Sequence, residues 1–481
     1  MEATTYPADD LQRFGYRQEL KRVLGTPQLA AYGLNFMLPI APMAIFGAVY
    51  AASAGMVVLA YLVGMVALMF TAFSYAQMVK AFPLSGSVYN YVGRSIGAPF
   101  GFLAGWVIML DYILVPSLLY LVAAVSTQAA VADVPVLSAV PVWGWFVLFV
   151  AINTTVNARG IRMTARVIFW TLIAELVVLA LFVGLGLTAV ASGKGHWTWS
   201  PLYDANTFSW SVVLAAASVA VLSFLGFDGI SLLAEETRDA ARRVRLAMTG
   251  ALLGAGVLFI AQTWVAAMLT PDPHGLIASG DPDGTAFFTA AGIAGGHWLA
   301  TTCAVATALA WGIPDSMAAQ AAISRLLYAM ARDGQLPAVL ARVSRRHNVP
   351  RNAIVLVAVL STGLGLYMNA RGDGIALLSS LINFGALTAF VLLHVSVIVY
   401  YLIRCRSRNL FAHLLMPVVG ATILGLVIWN ANVAAQRLGF VWIGLGVLIL
   451  AVMYATGRRP RLPGLGPATP AHAGHRIRQE A

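Results

Sequence analysis

Twelve apolar runs of spanning length divide the chain, at about residues 27 to 51, 55 to 79, 98 to 126, 142 to 157, 167 to 190, 210 to 233, 247 to 270, 298 to 322, 352 to 369, 374 to 402, 411 to 432 and 437 to 456. A helix of about 20 apolar residues crosses the hydrocarbon core of a bilayer, where only helices and closed barrels satisfy their own backbone. The runs therefore predict an all-α polytopic membrane protein with 12 transmembrane helices. Composition agrees, since 60% of the 481 residues are hydrophobic and only 10% are charged, with a mean hydropathy of +0.80. A soluble domain carries about 25% charge. The first run is long and has no small-residue cleavage site behind a short core, so it reads as a retained span rather than a signal peptide.

The loops orient the chain. With the N-terminus inside, 27 of the 30 Lys and Arg fall on the cytoplasmic side, leaving Lys194, Arg371 and Arg437 outside. This is the bias the positive-inside rule requires, and one missed span would invert every later loop. Both termini are then cytoplasmic, with polar tails at residues 1–22 and 457–481. The outer loop around residues 271 to 296 carries Asp272, Asp281 and Asp283 and no Lys or Arg. The formal charge of +11 is dispersed among these loops, which argues against a nucleic-acid partner. Two cysteines, Cys303 and Cys405, are too few for a disulfide framework or a cysteine metal site, and no cofactor or metal is expected.

Two runs carry breaks. In the sixth, Ser223 to Ser231 places Asp228 between Gly226 and Gly229. An ionisable group in a spanning helix costs at least a few kcal/mol and marks a functional site by default. In the first, Pro39 and Pro42 lie in Met37-Leu38-Pro39-Ile40-Ala41-Pro42 and remove two backbone donors near mid-span. Interrupted segments five spans apart point to a binding site between inverted repeats. The expected architecture is a five-plus-five core over residues 23–403, followed by two further spans over 404–456.

Three segments then bear on family: Phe82 to Tyr91 after the second span, Ser223 to Glu236 in the sixth, and Ile323 to Pro337 after the eighth. In order and spacing the chain resembles the amino acid/polyamine/organocation (APC) superfamily of permeases over roughly residues 20 to 456. Within it, Gly105-Trp106, Leu110-Asp111-Tyr112 and Phe224 to Asp228 are most similar to bacterial permeases of the putrescine-importer type. The resemblance implies a LeuT-type inverted-repeat fold with helices 1 and 6 broken. It also implies proton-driven uptake of a small amine or amino acid across a bacterial inner membrane, with protons favoured over Na⁺. A homodimer is left open.

The intramembrane charges supply candidate roles. Asp111, near the middle of the third span, pairs with a substrate ammonium or caps a neighbouring backbone break. Asp228, just past the break, is the candidate for the coupling proton. Glu175 stands about where amino-acid-transporting relatives of the superfamily often carry Lys, so it either takes a proton or cation of its own or simply bonds a neighbouring helix, and Asp315, after Pro314, is expected to share its site. Leu38, Pro39, Ile40, Ala41 and Gly226 are expected to contact substrate through the breaks. Phe224 and Phe227 are candidates for the pocket or its gate, as is Tyr120, with Leu222 where several relatives have a large aromatic gate. Core packing is the ordinary alternative for these rings. His394 either relays protons or bonds a nearby helix. Glu235, Glu236 and Asp239 are expected to face the arginines after span six, and the resemblance adds a latch role.

The leading expectation is a secondary active transporter importing putrescine or a related polyamine by alternating access. A neutral amino acid permease, or an amino acid/amine exchanger, stands beside it. No nucleophile-and-base motif or Cys/His ligand set supports an enzyme, and paired helix breaks argue for alternating access over a channel.

Overall fold

The computed structural model describes residues 24–457, apart from 85–86, 132–133, 282–283, 333, 335, 345–346, 348 and 372–373. The N-terminal tail expected at 1–22 and nearly all of the tail expected at 457–481 lie outside the described residues, as do Ser85, Gly86, Asp283, Asp333 and Gln335.

Counting helices of nine residues or more, the first half of the chain forms α1 (Thr26–Phe36), α2 (Pro42–Ala52), α3 (Val57–Ala81), α4 (Ser87–Ser95), α5 (Ala98–Ala130), α6 (Val142–Arg159), α7 (Ile161–Ala191) and α8 (Trp210–Ala220). The second half adds α9 (Ala240–Met268), α10 (Ala286–Gly295), α11 (His297–Ala310), α12 (Ser316–Arg332), α13 (Arg351–Asn369), α14 (Gly374–Ile398), α15 (Met416–Trp429) and α16 (Val433–Ala455). Regular structure among the described residues is otherwise helical, with one isolated bridge between Leu24 and Thr237.

The first apolar run is two helices of 11 residues each, α1 and α2. Pro42 opens α2, where its fixed φ suits the first turn and its missing N–H is not needed. Between the helices Leu38 takes φ 55°, an uncommon backbone for a residue with a side chain. The sixth run starts as α8, whose first turn is held by Ser209 Oγ accepting from the Val212 amide at 3.2 Å. It tightens into a 3-10 turn at Val221–Phe224, passes through extended Leu225 and left-handed Gly226 (φ 107°), and resumes as a 3-10 helix at Phe227–Glu236.

A third irregularity follows from Pro314, which cannot donate within its helix and sits in a π-helical turn, Trp311–Asp315, between α11 and α12. The carbonyls around this turn are satisfied from α6. Asn153 Nδ2 donates to the Gly312 carbonyl at 2.8 Å, and Asn157 Nδ2 donates to the Met317 carbonyl at 3.0 Å and to Gln320 Oε1 at 2.8 Å.

Nine helices among the described residues are long and apolar enough to cross a membrane, where the sequence predicts twelve. The first run falls outside that set because its break divides it into two helices of 11 residues, and the 298–322 run falls outside it as well. The 142–157 run becomes α6, whose last third is polar because its asparagines serve the π-turn.

Within lipid, helices associate through close van der Waals contact and interhelical hydrogen bonds rather than through the hydrophobic effect. Among the nine, α5 is the most enclosed and α16 the least. Trp106 on α5 and Trp442 on α16 stack with ring centroids 4.4 Å apart, and each indole N–H donates to the other's carbonyl at 2.8 Å. Helices α3 and α9 pack along one another, as do α5 and α14, and the two breaks lie inside this bundle.

Replacing Asn153 by Leu leaves the Gly312 carbonyl without its donor. We expect a loss of about 1–3 kcal/mol, read as a lower unfolding temperature of the purified protein in detergent, while Thr155→Leu on the exposed side of α6 leaves that temperature nearly unchanged.

Candidate functional site

The two breaks touch. A Cβ at Gly226 would stand 2.7 Å from the Phe36 ring and 2.8 Å from its carbonyl oxygen, and a Cβ at Gly229 would stand 2.7 Å from the same ring. Only glycines on both sides of Asp228 let the end of α1 come this close, and Gly226 also needs its left-handed backbone. Beside this contact lies a cavity of about 40 Å³. Leu38, Ala41, Asp111, Tyr112, Gly226, Asp228, Trp311 and Asp315 are on its lining, which contains three carboxylates and no Lys, Arg or His. Such a space holds on the order of a few waters.

Asp228 is almost fully enclosed, at 1% exposure. Its Oδ2 accepts a hydrogen bond from the Tyr112 hydroxyl at 2.6 Å, with the Tyr75 hydroxyl further off at 3.4 Å. Asp111, one residue before Tyr112 on α5, lies within electrostatic reach of Asp228. Asp315 closes the π-turn, and its Oδ1 is buried without a hydrogen-bond partner. Glu175 on α7 does not line the cavity. It is buried beyond the π-turn, both of its carboxylate oxygens lack a partner, and it interacts electrostatically with Asp315.

Several residues expected at the site are buried elsewhere. Pro39 and Ile40 stand off the lining, and the Pro39 carbonyl, which the sequence leaves free for a ligand, accepts from Gln262 Nε2 at 2.9 Å. Phe224 packs against Phe259 and Tyr61 at centroid distances of 4.9 and 6.1 Å. Phe227 packs against Phe390 and Tyr75 at 5.7 and 6.0 Å. Both rings belong to the core behind the cavity wall, while Leu222, Ser223, Leu225, Gly226 and Asp228 of the same segment line it. Tyr120 packs edge-on against Phe146 at 5.8 Å and is also outside the lining, whereas Leu222 is on it.

His394 sits between Ser74 and Thr71, with Nδ1 at 2.8 Å and Nε2 at 3.3 Å from their hydroxyls, so it ties α14 to α3. Glu235 and Glu236 pair with Arg332 and Arg325 of α12, each at 3.5 Å. Asp239 adopts a left-handed backbone (φ 49°) just before α9. Tyr112, Trp311, Phe36 and Gln262 are the contributors that residue-by-residue reading of charges passes over. Tyr112 carried one available signal, its place beside Asp111.

Replacing Gly226 by Ala forces a side chain into Phe36 and a left-handed φ onto alanine. We expect a destabilisation of about 1–3 kcal/mol in a thermal melt, while Gly250→Ala, where a Cβ meets open space on α9, is neutral or slightly stabilising.

The sequence profile of the amino acid permease family matches residues 24–453. The chain is 31% identical over 458 residues to the low-affinity putrescine importer PlaP of Escherichia coli (strain K12), covering 92% of this chain and 96% of that protein. It is 26% identical to the methylthioribose transporter of Bacillus subtilis (strain 168), over 92% of this chain and 95% of the relative. It is also 28% identical to the branched-chain amino acid permease BcaP of the same organism, over 79% of this chain and 81% of the relative. With its cavity enclosed among multiple apolar helices, the chain belongs to the amino acid permease family of the APC superfamily and is a multi-pass membrane transport protein.

Proposed function

We propose that this permease imports a small amine, putrescine or a related polyamine, by proton-coupled alternating access. The observation that carries this reading is the set of three carboxylates, Asp111, Asp228 and Asp315, around one cavity whose lining has no basic side chain. Carboxylates inside a membrane must be neutralised by protons or by a bound cation. A diamine brings two cations, so substrate and proton compete for the same oxygens. In this scheme Asp111 takes one ammonium of the substrate. Asp228, held by Tyr112, exchanges its proton as the substrate binds and leaves, and Asp315 with Glu175 behind it forms a second protonation site. The name of the relative PlaP supports an amine cargo.

The architecture proposed for this cycle is twelve spans with a LeuT-type five-plus-five repeat over residues 23–403 and two added spans over 404–456. Spans one and six are the broken pair flanking the substrate, the membrane is the bacterial inner membrane, and both termini are cytoplasmic. A neutral amino acid is the second reading. It draws on the branched-chain amino acid permeases among the relatives, and on backbone amides at the helix breaks that can receive a carboxylate.

The test is uptake of labelled putrescine into liposomes containing the purified protein, with pH and Na⁺ gradients imposed separately. We expect accumulation driven by the pH gradient alone and little competition from alanine, serine or leucine. Competition by these amino acids with no putrescine transport would favour the second reading. Asp228→Asn is expected to abolish pH-driven accumulation without loss of the folded protein, and wild-type accumulation in that variant would remove Asp228 from coupling. Asp111→Asn is expected to raise the KM for putrescine about tenfold to a hundredfold, the size of a lost charge-assisted contact, and an unchanged KM would free Asp111 of substrate contact.

A further inference from the structure

Asp228 is enclosed by the bundle, so a proton on its carboxyl needs a path out. Its own segment supplies little of one. Beyond it Ile230, Leu232, Leu233 and Ala234 are apolar and at most 2% exposed, and Ser231 is the one hydroxyl before Glu235. At the end of the segment the Glu236 and Arg325 side chains are 11% and 19% exposed, so water reaches this ion pair.

Tyr32 of α1 stands beside the interval. A Cβ at Gly229, the residue after Asp228, would lie 3.8 Å from its Cε1, and the ring packs edge-on against Phe36 at a centroid distance of 6.1 Å. The Tyr32 hydroxyl is buried and has no hydrogen-bond partner. It lies within electrostatic reach of Asp228 at one end of the interval and of Glu236 and Arg325 at the other. Arg325 Nε faces Glu236 at 3.5 Å, while Nη1 of the same side chain is also buried without a partner. Buried polar atoms are nearly always paired, so two neighbours left without partners need a reason. Packing alone would be served as well by phenylalanine.

We propose that the Tyr32 hydroxyl relays the coupling proton between Asp228 and the Glu236–Arg325 pair. This rests on Asp228 as the coupling site and adds the route by which its proton leaves on the proposed cytoplasmic side. The O–H bond of protonated Asp228 breaks as one forms at the Tyr32 oxygen. The O–H bond already on Tyr32 breaks as one forms on the Glu236 carboxylate, directly or through intervening water. Tyr32 is neutral before and after, and Glu236 passes the proton to bulk water. Ser231 and Tyr91, whose hydroxyls are likewise buried without partners, mark the rival route. Tyr32 is favoured because it reaches the charged groups at both ends.

The experiment compares two rates in liposomes containing the full-length protein. One is net uptake of labelled putrescine driven by a pH gradient. The other is exchange of labelled for unlabelled putrescine at equal pH, which moves substrate both ways without releasing the proton. We expect Tyr32→Phe to slow net uptake about tenfold or more while exchange stays near the wild-type rate, and Ser231→Ala to leave both near wild type. Equal loss of uptake and exchange in Tyr32→Phe would make Tyr32 a packing or gating residue and overturn the relay. Unimpaired uptake in that variant would overturn it too, and slow uptake in Ser231→Ala alone would move the route to Ser231 and Tyr91. Absence of pH-driven uptake in the wild-type protein would instead remove the coupling reading itself, and the relay with it.

Discussion

Phe36 occupies the space where a side chain at Gly226 or Gly229 would have to be. This contact joins the end of α1 to the second half of span six, and much of the site follows from it. It brings Leu38, in its left-handed backbone, and Asp228 to one cavity, while Phe224 and Phe227 on either side of the turn at Gly226 go into the core. The cavity left at the junction is small because the approach is close, and its polar wall is acidic because the nearby spans contribute Asp111, Asp228 and Asp315. Backbone irregularity is tolerated at this depth because it is enclosed by protein and its polar groups find partners, as the Pro39 carbonyl does in Gln262.

The same segment is anchored at its far end. Glu235 and Glu236 reach Arg332 and Arg325 on α12, and the backbone of Leu24, just before α1, donates to the Glu236 carbonyl at 3.1 Å. The residues from 227 to 236 are therefore tied to α12 and to the start of α1 at one end and wedged against Phe36 at the other. In the proposed cycle, opening the cavity at this end has to release some of these contacts.

Much of this arrangement was legible in the chain itself. The breaks in spans one and six show as a proline pair and a glycine pair in apolar runs, and the acidic residues of the cavity show as charges where none are expected. Reading charge alone could not say which side of the π-turn each acid occupies, and so it joined Glu175 to the central group. It could not tell which aromatic rings face inward either, because a side chain's direction near Gly226 depends on a left-handed turn rather than on helical periodicity. Gln262, Asn153 and Asn157 look like incidental polar residues, and their purpose appears only with the carbonyls at Pro39, Gly312 and Met317 that they satisfy. Arg325 and Arg332, the partners of Glu236 and Glu235, lie about ninety residues further along the chain, too far for a reading of neighbours in sequence to pair them.

The central claim is that an amine and a proton compete for the carboxylates at the junction of the two breaks. Calorimetric titration of the purified protein with putrescine, repeated at one near-neutral pH in buffers of different ionisation enthalpy, counts the protons exchanged on binding. The account predicts release of about one proton per putrescine bound, the linkage expected when an ammonium replaces a proton on a shared carboxylate, and its disappearance in Asp228→Asn. Putrescine binding with no proton release in the native protein would contradict it.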